Sequence, residues 1–571
     1  MKRTPPSSAP PARAAIVAVL ALVMSLVAPA TPAAAAVGYA RITGTGSSWS
    51  ANALSQWVAD VQKRGMQVDF TPTGSATGRK DFAALANDFA ISDIGFRGVD
   101  PSGQRDDSQG RPYAYLPIVA GGTSFVYQVR VGGQLVRNLR LSGETLAKIF
   151  FGKITNWNDP QITADNNGRK LPSLQILVVV HSEGSGSTAQ FTSYLAKQYP
   201  ALWREYSGMS DFTEYFPRHP ANRDTHPGKL FAQNGSDGVI NMVTAGSSNG
   251  AIGYDEYSYA QGADYPVVKL ENAAGYFTGP SDFNVAVALT KAEINKVKDP
   301  ADCGLRDKPV CKYLLQKLDN VYINPDKRTY PLSSYSYLIL PVGTNAQDAR
   351  LTSEKRQTLA DFMAYSICAG QSSMGIAGYS PLPINLVQAG FEQLQRLHDA
   401  DPKVTLSAQP VNSCNNPTFI PGQPERNHLA EIAPNPPECD KRGSGPCTGT
   451  GNNGGNNGGN NGGNNGGGGG GGGGNNGGGG GGGNGANPSN SAAPGAVIDP
   501  DTGEVISGGN GGGNGGSGGD ANAIGVPNDL AAFKTGKHMK VLGPTAAALL
   551  LLVVFAPALL GRWLRRRREE S

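Results

Sequence analysis

Charge is scarce in this 571-residue chain: Asp, Glu, Lys and Arg make up 16% of it, and the net charge is only +4. Lys2, Arg3 and Arg13 carry three positive charges near the start, and the tail after Gly561 carries a net three more, so the remainder stands at −2. A nearly neutral body of this kind is not expected to bind nucleic acid through a basic surface. Histidine is scarcer still, at six, and none of the six cysteines, all after residue 300, has the CxxC spacing of common zinc sites. No GxxxxGK[ST] stretch is present, which argues against an NTPase. The stretch EGSGS at 183–187 does not match the GxSxG turn of hydrolases, so neither an enzyme nor a cofactor is expected.

The two ends read as targeting segments. Residues 1–36 join basic residues, an apolar run from Ala14 to Val27 and small residues, the pattern of a secretory signal peptide. No cysteine lies near its end to carry a lipid. Val541–Leu560 is uncharged and, at about 1.5 Å per residue, long enough to span a hydrocarbon core of roughly 30 Å. Trp563 and the arginines at 562 and 565–568 then mark residues 561–571 as a cytoplasmic tail, with no LPxTG-like sorting motif before the span. The expected location is therefore outside the cell, anchored in the plasma membrane by this C-terminal helix.

Residues 448–540 read as a linker, because from about Thr448 to Asp520 they are largely GNNGG repeats and poly-Gly, interrupted by ANPSNSAAPGAVIDPDTGEVI. Such a composition buries too little apolar surface to offset its ordering entropy. Its random-coil span is roughly 50 Å and its extended reach about 240 Å. The body, 37–430, alternates short apolar runs with helical stripes, which indicates βαβ units in an α/β fold large enough for two cores. A cysteine-containing extension, 431–447, follows it. An even cysteine count in a secreted chain favours disulfides, of fifteen possible connectivities. The expected pairs are Cys303 with Cys311, Cys368 with Cys414, and Cys439 with Cys447.

Three loops carry the functional signal. In Leu177–Leu195 an apolar strand runs into Gly184, Ser185, Gly186 and Ser187, and then into a helix striped by Phe191 and Leu195. Amides at such a helix start have no internal partner, and the dipole favours an anion. Gly44–Ser50 precede a second stripe at Leu54, Trp57, Val58 and Val61. Thr73–Gly78 (TGSATG) precede Phe82, Leu85 and Phe89 at helical spacing, and that segment runs on to Asp93, a lone carboxylate past an apolar pair.

With IFFGKITNWNDPQI at 149–162, NGSDGV at 234–239 and GAIGYDEYSYA at 250–260, the three loops resemble the PstS-type phosphate-binding proteins of phosphate ABC transporters, over about Arg41 to Val387. The resemblance implies a two-lobed periplasmic-binding-protein fold of type II with two hinge crossovers, near Tyr115–Tyr127 and soon after Glu256. Lobe one is then about 37–120 and 257–430, and lobe two about 121–256. It also implies capture of inorganic phosphate by a monomer and delivery to ABC permease subunits. The family's ligands fall on Ser48 and Trp49 (through its amide), Ser75, Asp93, Ser185, Gly186 and Ser187. One position departs from the pattern: His181 stands where the family has an arginine, and Glu183 matches the acid two residues on. Arg79 and Arg97 are the candidates to supply the missing cation. His181 is expected to touch the ligand, with binding strengthening below about pH 6.5 as the ring gains charge. Two other readings are a hydrolase in which His181 is a base oriented by Asp93, and a surface adhesin or sensor that keeps the fold without transport.

Overall fold

Ile42–Gly46 (β1) alternates buried and half-buried residues, and the helices Ser75–Ala83 and Ser353–Ile367 pack near it. In the computed structural model, which describes residues 39–100, 103–406 and 411–445 and two short strands at 497–498 and 505–507, this strand begins an eight-stranded mixed sheet. The others are β2 (Val68–Pro72), β3 (Phe89–Ser92), β4 (Tyr113–Tyr127), β5 (Leu177–His181), β6 (Lys229–Gln233), β7 (Ala251–Glu256) and β8 (Ser333–Pro341), in the order β6-β5-β7-β4-β8-β3-β1-β2. The parallel groups β2-β1-β3 and β6-β5-β7 form two half-sheets, joined by β4 and β8, which run antiparallel to their neighbours.

β4 makes the join. Its fifteen residues, YAYLPIVAGGTSFVY, are all buried, as an apolar run covered on both faces must be. It pairs with β8 from Tyr113 to Gly122 and with β7 from Thr123 to Tyr127, so one continuous strand passes from the first half-sheet to the second. Beyond Glu256 the chain stays beside the second: Lys269–Glu271 pairs in parallel with Arg140–Leu141. It returns with Asp282–Leu289 and with β8, which also pairs with β3.

Helices follow the parallel strands at their carboxyl ends: α1 (Ala51–Gln62) after β1, α2 (Ser75–Ala83) after β2, α3 (Gly186–Gln198) after β5 and α4 (Gly235–Thr244) after β6. The stripes of α1 and α3 are as expected, with Leu54, Trp57, Val61, Phe191 and Leu195 buried. That of α2 stops early. The helix ends at Ala83, Leu85 takes a left-handed conformation (φ 57°) with its side chain out, and Phe89 opens β3. A helical spacing in sequence here spans a helix, a turn and a strand, because Asp88 draws the chain back by accepting from the Thr43 amide at 2.8 Å.

An aromatic cluster holds α3 in place: the Phe191 ring lies 5.0 Å from those of both Phe125 and Phe150 and 5.2 Å from that of Tyr254. Pairs of this kind stabilise by about 0.5–1.5 kcal/mol each beyond their buried area. Cys303–Cys311 and Cys368–Cys414 are disulfides, as expected, and Cys439 is also disulfide-bonded. Cys447, the signal peptide, the span Val541–Leu560 and its basic tail lie outside the described residues. Among the described residues no helix is long and apolar enough to cross a membrane. Within the segment read as linker, Val497–Ile498 pairs antiparallel with Val505–Ser507.

Candidate anion site

The carboxyl ends of both half-sheets meet at one place, where open α/β sheets hold their ligands. Asp93, directly after β3, is buried there. Its Oδ2 accepts from Ser47 Oγ at 2.5 Å and from Ser75 Oγ at 3.1 Å, while Oδ1 meets no partner in the protein. Burial pushes this carboxyl above its usual range, against the pull of the Ser47, Ser336 and Ser75 hydroxyls and the Arg79 charge. Gly186 lies against it: a Cβ there would fall 1.6 Å from Asp93 Oδ2, so only glycine lets the first turn of α3 approach the acid.

The α3 loop arrives from the second half-sheet. Ser185 caps the helix, its Oγ accepting from the Thr188 amide at 3.5 Å, and its own amide donates to Glu214 O. Ser187 Oγ is buried without a protein partner. On the opposite side Gly74, at φ 90°, lets the TGSATG loop turn into α2, where the Ala76 amide donates to Gly184 O at 3.1 Å. A Cβ on Gly74 would also meet Glu183 Cγ at 2.9 Å. The two serine loops therefore touch directly across the two half-sheets.

The β1 loop closes the third side. Ser48 Oγ lies 2.8 Å from Ser236 Oγ, and Ser48 O accepts from Tyr259 Oη at 2.7 Å. The Trp49 amide donates to Ser47 Oγ at 3.1 Å, its indole N–H reaches Thr123 Oγ1, and its ring packs edge-on against Tyr379. Trp49 thus serves the core and the loop together.

His181, at the end of β5, is buried, with Nδ1 2.8 Å from Glu183 Oε1 and Nε2 3.8 Å from Asp255 Oδ2. Burial lowers its pKa, but the Glu183 hydrogen bond and the Asp255 and Glu183 charges outweigh it, and the ring stands above its usual value. Burial pushes Asp255 up to about 6. Neither His181 ring nitrogen bonds Ser182 or Ser185, and Asp93 is held by serines, so the arrangement a hydrolase needs is not assembled among these residues. Neither candidate arginine is free. Arg79 is buried between Asp106 (2.9 Å) and Glu214 (2.6 Å), and Arg97 pairs with Asp211 while lying 4.0 Å over the Phe212 ring.

Sequence reasoning missed Ser47, Ser236 and Asp255. Ser47 is the serine directly before Ser48 in the GTGSS loop. Asp255 ends the apolar run AIGY, which is itself the signal of a carboxylate at a strand's carboxyl end.

These shifts fix a pH dependence of stability in the ligand-free protein. Asp255 has a folded pKa above its unfolded 3.8, so its contribution is complete at low pH and is lost as pH rises through about 6. His181, also raised, acts with the same sign above its usual 6.5, whereas Glu183, lowered, loses its contribution only below its usual 4.5. Thermal melts should therefore show stability falling from about pH 5 to pH 7.5, with Asp255 accounting for about 1.4 kcal/mol of the fall across that window. A flat or rising profile over that window would contradict the assignment.

The eight-stranded mixed sheet, with a polar cluster buried at its strand ends, is the frame of a periplasmic-binding-protein-like α/β fold. The family model described as "PBP superfamily domain" matches residues 29–369. The phosphate-binding protein PstS of Xylella fastidiosa is 30% identical over 359 residues, covering 62% of this chain and 85% of that protein. PstS of Methanocaldococcus jannaschii is 27% identical over 363 residues, with 63% and 86% covered. A solved phosphate-binding protein from Stenotrophomonas maltophilia aligns with a TM-score of 0.44 at 19% identity, over 62% of this chain and 93% of that one. The chain belongs to the PBP superfamily, with PstS phosphate-binding proteins as its relatives.

Proposed function

We propose that the protein is an extracellular solute-binding receptor that captures inorganic phosphate between two lobes and delivers it to an ABC permease. The observation that carries this reading is the convergence of Ser48, Ser75, Asp93 and the first turn of α3 at the strand ends of both half-sheets, with polar atoms of Asp93 and Ser187 buried and unpaired. The phosphate-binding relatives support it. Hydroxyls and helix-start amides surround four oxygens without needing a full counter-charge, which suits a site whose nearby arginines are engaged elsewhere. Asp93 selects: its Oδ1 takes the hydrogen of a P–OH, whereas a fully ionised anion such as sulfate offers none.

The lobes hinge on β4 and β8, the strands between the half-sheets, and close on the ligand. The parallel pairing of Lys269–Glu271 with Arg140–Leu141 favours a second crossing after Glu271 over one soon after Glu256. The span at Val541–Leu560, behind the glycine-rich tether, holds this receptor at the outer face of the membrane. Replacing Ser187 tests the reading at one atom. Ser187→Ala removes a buried hydroxyl with no structural duty, so phosphate affinity should fall roughly tenfold, by about 1.4 kcal/mol, with unchanged melting. Equal affinity in equilibrium dialysis would place the anion elsewhere.

A further inference from the structure

His181 Nε2 and Asp255 Oδ2 face each other 3.8 Å apart, beyond hydrogen-bond reach, and neither meets another partner in the protein. Both residues are buried. Their remaining atoms are committed. Nδ1 lies against Glu183, and Asp255 Oδ1 accepts from Ser236 Oγ at 2.8 Å and from the Glu256 amide at 2.7 Å. An imidazole nitrogen and a carboxylate oxygen left unpaired in a dry interior are costly. One hydroxyl seated between them, its oxygen about 2.8 Å from each, removes both deficits: it accepts from the imidazole N–H and gives its hydrogen to the carboxylate.

The position of this gap says which hydroxyl that is. Ser48 Oγ touches Ser236 Oγ, which donates to Asp255, while the adjacent Ser47 donates to Asp93. The Ser47–Ser48 pair thus lies between two buried acids, each with one oxygen unpaired. From the other side, the ring of Tyr254 is 5.4 Å from that of His181, and its hydroxyl meets Thr188 in the first turn of α3. The gap opens between two of the loops assigned to the anion.

We propose that Asp255 is a specificity residue of the anion site: it takes the hydrogen of a second ligand hydroxyl, with Asp93 taking the first, so the ligand class is an oxyanion carrying two ionisable hydroxyls, as dihydrogen phosphate does. This rests on the phosphate-receptor reading above. The charges agree with it. The titratable groups around Asp255 are His181, Glu183, Glu256, Tyr254 and Tyr259, and of these only His181 brings positive charge, already shared with Glu183. A dianion would enter a site rich in carboxylates, whereas a monoanion brings hydrogens to two of them.

The experiment counts protons. At pH 8 dissolved phosphate is chiefly the dianion, so a site that holds the dihydrogen form must take up a proton from buffer as it binds. Titration calorimetry of the full chain with sodium phosphate, in buffers of different ionisation enthalpy, should give uptake of about one proton per phosphate. Uptake should persist in His181→Gln, which binds more weakly but keeps a donor, and should vanish in Asp255→Asn. Wild-type binding without uptake, or uptake retained in Asp255→Asn, overturns the inference while leaving the receptor reading standing. Absence of any phosphate binding overturns that reading, and this inference with it. The wild-type measurement needs no variant to fold.

Discussion

Asp93→Asn should erase the preference for phosphate over sulfate, lowering the affinity ratio by about 10⁴–10⁵-fold, the scale on which a site built to hydrogen-bond a ligand group rejects a ligand lacking the matching hydrogen. The change comes mostly from sulfate. In the wild-type site Asp93 Oδ1 has no protein partner and points negative charge at an anion that brings no hydrogen. Asparagine keeps the shape, can still accept from Ser47 and Ser75, and presents an amide donor to the ligand. Burial already disfavours the ionised carboxyl. The same substitution should therefore raise the melting temperature of the ligand-free protein. Competition dialysis with the two anions reads the first effect and a thermal melt the second. Sulfate still rejected by Asp93→Asn would remove Asp93 from its role.

The second large effect concerns an arginine that sequence put forward as a ligand. Arg79→Met should cost roughly 3–5 kcal/mol of stability, because it leaves the buried Glu214 and the partly buried Asp106 without their cation. Burial works against the guanidinium charge, but Glu214 and Asp106 outweigh it and hold Arg79 firmly protonated. Its Nη1 also donates to Ser92 Oγ at 3.0 Å, one residue before Asp93. Glu214 sits between β5 and β6, and its carbonyl accepts from the Ser185 amide. The ion pair thus ties α2 of one half-sheet to the cap of α3 on the other. Urea unfolding measures the loss, and Arg79→Lys should recover part of it, lacking the guanidinium fork. A loss below about 1 kcal/mol would mean the acids find other partners.

The distinction between Arg79 as ligand and Arg79 as strut marks where sequence reading stops. Period and turn chemistry are local, so the strand Leu177–His181, the glycine-serine turn and the stripe of Phe191 and Leu195 were legible, as was Asp93 beyond its apolar pair. What fixes Arg79 is Glu214, 135 residues away, and no local pattern carries that. Phe82, Leu85 and Phe89 show the converse: residues at helical spacing need not share a helix when a left-handed turn intervenes. Asp255 and Ser236 stood inside motifs that were read for their likeness rather than their chemistry. Their meaning depends on His181 facing them across adjacent strands, which the parallel pairing of β5 with β7 supplies.

Phosphate capture is the central claim, and calorimetric titration at about pH 7.5, after unfolding and refolding to strip carried-over ligand, tests it most directly. The protein should bind one phosphate saturably and give no heat with sulfate. Binding of neither anion, or of both alike, would contradict the account.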